Sequence, residues 1–335
     1  MKYSYINSAR GIAILMVILT HISQLYTSEL PNYLNFFFGY CQMGVQLFFI
    51  ASAFTLYNSF ENRKQESQPL KNFYIRRFFR IFPIYYLGII LYFTLNYYFK
   101  NIDSYSLKNI VSNLTFTHGL TPSANNTIVP GGWSIGTEML FYLFFPFLIK
   151  YLIKSNFLFK SIIIIVFSYS IIFILDLKVL YNNFWYFNII TQLPVFIIGI
   201  LYYQFNKRLT TATAIITFVL STLIAGFLWK KHIFIFVPLA AALSFFGLLK
   251  ILEKSFLNFP LFQKIGQVSY SIYISHFIFT YFILNDTDSL YIIIAYFLIT
   301  SLICYFLAEV MEKYIEKPFI RVGQKIIKSS EIKSK

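Results

Sequence analysis

The sequence predicts an all-α, polytopic integral membrane protein of about ten transmembrane helices, and three observations carry that expectation. Of 335 residues, 58% are hydrophobic and 12% charged, against about 45–50% apolar and about 25% charged in soluble domains. Phe and Tyr alone contribute 41 and 27 residues. A soluble fold of this length has too little interior for that apolar area, and a disordered chain would have too little to bury. The third observation is charge placement. The net charge of +15 sits in short segments between apolar runs, which is the signature of membrane topology. A nucleic-acid partner would need basic residues gathered on one solvated domain.

A bilayer crossing takes about 20 mostly apolar residues. Runs of that kind fall at 6–26, 41–59, 82–99, 132–152, 160–175, 185–205, 211–229, 233–252, 266–284 and 290–311. The first run is followed by no small-residue cleavage site, so it reads as a retained helix and not a signal peptide. The whole chain, 1–335, reads as a single transmembrane domain with no appended soluble domain. With the N-terminus cytoplasmic, 23 of the 28 lysines and arginines fall on the cytoplasmic side, leaving Lys100, Lys108, Lys178, Lys230 and Lys231 outside. Both termini are then cytoplasmic. Cys41 and Cys304 both sit in apolar runs, implying neither a disulfide framework nor a metal site.

Ionisable residues inside spans are costly and mark functional interiors. His21, Glu138 and His276 are three such residues on three separate runs. By the helical rise of about 1.5 Å per residue, all three fall in the outer half of the membrane, roughly 8–12 Å from its face. Arg10 and His21, eleven positions apart, share one face of the first helix to within about 20°. The run RRFFR gathers Arg76, Arg77 and Arg80, and arginine suits bidentate phosphate binding. The run PGGWSIGTEMLFYLFFP places Ser134, Glu138 and Tyr142 on one face after the Gly-Gly-Trp133 start, and GQVSYSIYISH does the same for Ser269, Tyr273 and His276. No metal-ligand spacing, Walker loop or nucleophile elbow is present. The long outer segment 101–131, with His118, reads as a polar loop that selects an acceptor.

These runs, NSARGIAILMVILTH from Asn7, GVQLFFIASAF from Gly44, RFFRIFPIY from Arg77, GWSIGTEMLFY from Gly132, GQVSYSIYISH from Gly266 and EKP from Glu316, together resemble acyltransferase family 3. That family comprises bacterial integral-membrane O-acyltransferases. The resemblance implies a ten-helix enzyme of the bacterial inner membrane that moves an acyl group, usually acetyl, from cytosolic acetyl-CoA to a hydroxyl of a surface or lipid-linked glycan. It implies that His21 is the catalytic histidine, that Glu138 is essential, and that Arg10, Arg77 and Arg80 hold the nucleotide end of the coenzyme. Asn7, Gln46 and Ala53 stand where the family often has Asp, Asp and Gly.

Combined with the residue reading, the expected chemistry has His21 as general base for the acceptor hydroxyl, with Glu138 orienting His21 or the sugar. The arginines, Arg76 included, hold the phosphates, and Trp133, Ser134, Tyr142, Ser269, Tyr273 and His276 contact substrate. An acyl-histidine intermediate is the other chemistry open to the same residues. Acetyl-CoA is a substrate and no permanent cofactor or metal is expected; the partners are glycan and lipid, not nucleic acid. A non-enzymatic polysaccharide exporter is the competing class, and it would more often show paired internal repeats.

Overall fold

The computed structural model describes residues 3–99, 105–174, 186–255 and 258–333. Lys2, Lys100, Lys178 and Lys335 of the charge pattern, and the span ends at 175 and 185, lie outside the described residues. The helices are α1 (Ser4–Ser23), α2 (Asn32–Tyr40), α3 (Gly44–Arg63), α4 (Pro69–Phe99), α5 (Leu107–Leu114), α6 (Gly132–Ile153) and α7 (Phe157–Ile174). They continue as α8 (Ile189–Phe205), α9 (Thr211–Lys230), α10 (Val237–Lys254), α11 (Pro260–Gln267), α12 (Ser269–Ile278), α13 (Leu290–Met311) and α14 (Lys317–Lys333). Among the described residues there is no strand, only an isolated backbone bridge between Tyr26 and Thr287. Among the described residues, eight helical runs are long and apolar enough to cross a membrane. A shorter apolar helix, Ile189–Phe205, adds a ninth candidate among the described residues, and the expected run at 266–284 is carried in part by α12 and the π-helical Phe279–Ile283. The chain is an all-α, multi-pass membrane protein.

The boundaries depart from the expected spans where tertiary contacts decide them. The second run extends back through a 3₁₀ turn into α2, and the charged segment 60–81 is largely helical because α3 runs to Arg63 and α4 already starts at Pro69, with proline at its first position. The run at 266–284 is not one helix: α11 and α12 break at Val268. After α13 the helix passes through a π-turn, Glu312–Glu316, just before Pro318. Proline has no N–H to give and its ring crowds the carbonyl four residues back, at Tyr314; the wider π-turn relieves both.

The chain divides into two compact units, residues 1–54 with 195–309 and residues 55–194 with 310–335. In the first unit α1 is apolar on nearly every side, as expected of a helix with neighbours all round, and Ala9, Ala13 and Ile14 are fully buried. It crosses α11 so closely that a Cβ on Gly266 would collide with the Asn7 carbonyl oxygen, and one on Gly11 with the Phe262 carbonyl oxygen. At the N-terminal end of α1, Asn258 ties three segments together. It accepts from Ser8 Oγ (2.9 Å) and Gln263 Nε2 (3.0 Å) and donates to Ser4 Oγ (3.1 Å). At the other end, Thr20 Oγ1 donates to the Phe38 carbonyl (2.9 Å), and Thr287 of the segment before α13 exchanges backbone bonds with Leu25 and Thr27 of the chain leaving α1. Segments that the charge pattern assigns to one side thus gather at one end of the unit.

In the second unit the same grouping holds. Near the start of α4, Arg76 forms an ion pair with Glu66 (3.0 Å), and the buried Asn72 donates to both Glu66 and Glu331 (3.0 and 3.1 Å). Gly323 of α14 packs on Phe79, and Phe319 meets Phe82 edge-on. At the opposite ends, the segment before α6 is folded and not open. It contains α5 and a 3₁₀ turn, Thr117–Leu120. His118 is fully buried, donates from Nε2 to the Gly132 carbonyl (2.8 Å) and stacks on Tyr85, whose hydroxyl donates to Asn113 (2.7 Å). Gly131 reaches this junction at φ 71°, a conformation that favours glycine.

His118 is therefore a latch between the segment before α6 and α6 itself, its ring enclosed by protein. Burial, outweighing the carbonyls of Gly132 and Ser112, holds its imidazole down at about 4, below the ordinary 6.5. The latch contributes its full stability above pH 6.5, and stability falls as pH drops through the window from 6.5 to about 4, where only the unfolded chain takes up the proton. At 1.36 kcal/mol per unit, the loss is on the order of 3 kcal/mol. Thermal unfolding in detergent at neutral and acidic pH is expected to show this extra acid sensitivity in the wild type and not in His118→Gln. Equal acid sensitivity in both would remove the latch.

Candidate active site

The first unit brings His21 and His276 together. α1 was expected to run to 26, which would bury His21 a turn or more below its end; it ends at Ser23 instead. Ser23 turns its hydroxyl back onto the Thr20 carbonyl (2.8 Å), and the chain departs to pair with Thr287. His21 is thus about 3 Å of helical rise from the end of α1, half-buried. Its ring lies 5.5 Å from that of His276, with Phe277 against both at 4.5 and 4.0 Å.

Hydrogen bonds decide the tautomers. His21 Nδ1 lies 3.3 Å from Gln24 Oε1; an amide oxygen only accepts, so Nδ1 carries the hydrogen and Nε2 presents a lone pair. His276 Nδ1 faces the Tyr273 carbonyl at 2.8 Å and the Ile272 carbonyl at 3.3 Å. By the same argument its Nε2 bears a lone pair, and that atom is buried with no hydrogen-bond partner among the described residues. Two imidazoles therefore share one cluster, each clamped at Nδ1 and basic at Nε2. Sequence reasoning missed Gln24, although its i+3 spacing from His21 is the signal that would have found it.

A polar cleft of about 570 Å³ opens beside this cluster. Its wall includes Thr20, Ser23, Gln24, Glu29, Asn32 and Asn35, from the end of α1, the following turn and α2. Hydroxyls and amides dominate and Glu29 is its one charged group. Such a lining offers hydrogen-bond donors and acceptors with little charge. Ser269 and Tyr273 lie on α12, but the Ser269 hydroxyl is turned onto the Gly266 carbonyl (2.9 Å) and Tyr273 packs edge-on to Phe48. Arg10 is half-buried on α1.

The second unit assembles a different group. The Tyr142 hydroxyl donates to Glu138, and the Arg77 guanidinium lies 5.8 Å from both the Tyr142 and Phe73 ring centres. Arg77 Nε is buried with no hydrogen-bond partner among the described residues. Arg76, by contrast, points to Glu66, which no periodicity links to it. Ser134 bonds the Gly131 carbonyl (3.0 Å), closing the first turn of α6, and Trp133 packs on Tyr186 and Phe187.

The fold is made of apolar helices, and His21 bonds Gln24, whose side chain lines a polar cleft. The family comparison names the class: the acyltransferase family 3 model, described as an acyltransferase domain, matches residues 3–309, and the chain belongs to that family. It is a membrane acyltransferase. The match ends before Glu316–Pro318. No curated protein and no solved structure matches the chain.

Proposed function

We propose that the chain is an O-acetyltransferase of the bacterial inner membrane, which moves an acetyl group from cytosolic acetyl-CoA to a hydroxyl of a surface or lipid-linked glycan. The observation that carries the reading is His21 Nε2. It carries a lone pair with Nδ1 bonded to Gln24, whose side chain lines a cleft of hydroxyls and amides, in a chain of the acyltransferase family. His21 Nε2 takes the proton of the acceptor hydroxyl as its oxygen attacks the thioester carbonyl. The tetrahedral adduct then expels the coenzyme thiolate, which receives that proton from His21 and leaves as the thiol. His276 packs against the His21 ring and holds it in place, and Ser269 and Tyr273 shape the helix that carries it.

Arg77 and Arg80 hold the coenzyme phosphates. Arg10 stands at the cytoplasmic end of the helix that bears His21. Glu138 and Tyr142 position Arg77, while Arg76 keeps the start of α4 folded through Glu66. Trp133 and Ser134 act by holding the start of α6. Membranes containing the protein and given acetyl-labelled CoA are expected to place label in base-labile esters on saccharide. Label that never reaches saccharide contradicts the reading.

Arginine grips phosphate through a planar fork that lysine lacks. Arg80→Lys is therefore expected to raise KM for acetyl-CoA about tenfold, the equivalent of one lost bidentate contact of about 1.4 kcal/mol, with acceptor KM unchanged. An unaltered acetyl-CoA KM would leave Arg80 a topology residue only.

A further inference from the structure

Helix α14 lies beyond the residues that match the acyltransferase domain, and three stripes run along it. One is turned inward: Gly323 packs on Phe79 of α4, Ile327 is buried, and Glu331 accepts from Asn72 (3.1 Å). The second, Phe319, Val322 and Ile326 at i, i+3 and i+7, is apolar yet 39%, 45% and 41% exposed. The third, Arg321, Lys325 and Lys328 at i, i+4 and i+7, is basic and exposed. Lys317, one turn earlier, is paired with Glu312 (2.8 Å). Among the described residues the three later cations have no ion pair, and Glu331, the one carboxylate of α14, is turned to Asn72. Like charges four apart on a helix repel, and an anionic partner relieves that repulsion.

Depth follows from the pairing with α4. Phe319 meets Phe82 edge-on, where the apolar run 82–99 begins, so the first turn of α14 stands at the edge of the hydrocarbon. Gly323 then meets Phe79 and Glu331 meets Asn72, so the helix runs back along α4 away from that edge. By helical rise, Arg321, Lys325 and Lys328 lie at most about 3, 9 and 14 Å beyond Phe319. The headgroup layer is roughly 5–8 Å deep, and its field reaches about 8 Å further. All three cations fall within that range.

We infer that α14 is an interfacial helix that docks on anionic phospholipid of the adjoining leaflet, with Arg321, Lys325 and Lys328 on the headgroup phosphates and Phe319, Val322 and Ile326 at the acyl boundary. Apolar and basic stripes side by side on one exposed surface are what such a boundary accommodates together. A soluble anion would meet the cations and leave the apolar stripe in water. The docked helix braces α4, which carries Arg77 and Arg80, but the inference rests on α14 alone and not on acetyl transfer.

A fluorophore on Ile326→Cys reports this site, because Cys41 and Cys304 are buried. The full chain is placed in lipid nanodiscs of mixed phosphatidylcholine and phosphatidylglycerol, with a trace of one or the other carrying a quencher at the top of its acyl chain. Quenching by phosphatidylglycerol is expected to exceed that by phosphatidylcholine at least fivefold in effective local concentration, the share of one cation at an anionic surface. About 0.5 M salt should reduce the preference. Arg321→Gln alone should lower it severalfold, and Arg321→Gln, Lys325→Gln and Lys328→Gln together should abolish it. Lys154→Gln, Lys207→Gln and Arg208→Gln, which remove the same charge elsewhere, should leave it intact. Equal quenching by the two lipids in the chain with its cations in place, or a preference unchanged in both the single and the triple variant, overturns the inference. Quenching by neither lipid also overturns it, since the apolar stripe would then face water or protein.

Discussion

His21→Ala is expected to reduce acetyl transfer by about 10²–10⁴-fold, the range that a positioned general base supplies, in protein that inserts and folds normally. Folding should survive because His21 lies at the end of α1, half-buried, with one side-chain hydrogen bond, to Gln24, while the helix is held by the buried face from Ile6 to Ile18 and by Thr20. Gln24→Ala separates the base from its orientation. Without the amide oxygen the imidazole is free to place its hydrogen on either nitrogen, so kcat should fall less than in His21→Ala while KM for acetyl-CoA stays put. Gln24→Glu, which keeps an acceptor at the same place, should restore most of the loss. A full-rate His21→Ala protein would remove the histidine from the chemistry.

The second large effect is structural. Gly266→Val is expected to destabilise the first unit by at least the 1–3 kcal/mol typical of overpacking, because its Cβ would occupy the space of the Asn7 carbonyl oxygen. The nearest neighbours of that Cβ are the backbone of Asn7 and Gly11, not flexible side-chain ends, so relief requires the α1–α11 crossing to open. That displacement bears on both ends of α1, including the His21 turn, and the melting midpoint and the transfer rate should fall together. A melting midpoint equal to wild type would contradict the close α1–α11 crossing. Valine at Gly226, against the Phe36 side chain at 3.3 Å, is the milder comparison, since that ring can move.

What was legible in the sequence follows from which forces act locally. The spans were legible because the bilayer imposes a length and a composition on each run separately. The pairing of Tyr142 with Glu138 was legible because i,i+4 neighbours meet on any helix. Helix ends were not, since α1 stops where its chain meets Thr287, far along the sequence. The His118 latch was hidden for the same reason: a polar segment of that length reads as a loop until Tyr85, Asn113 and Gly132 are brought to it. Arg76 looked like its two neighbours, and only the fold of the segment before α4 hands it to Glu66. The contact of α9 with Gly39 and Phe36 of α2 is likewise announced by no pattern in residues 24–40.

Mass analysis of glycans from cells carrying either the wild-type chain or His21→Ala, matched for amount of membrane protein, tests the central claim most directly. The account predicts a saccharide bearing base-labile acetyl ester in the wild-type cells and the same saccharide lighter by that acetyl group in the variant. An identical acetylation pattern in both would contradict it.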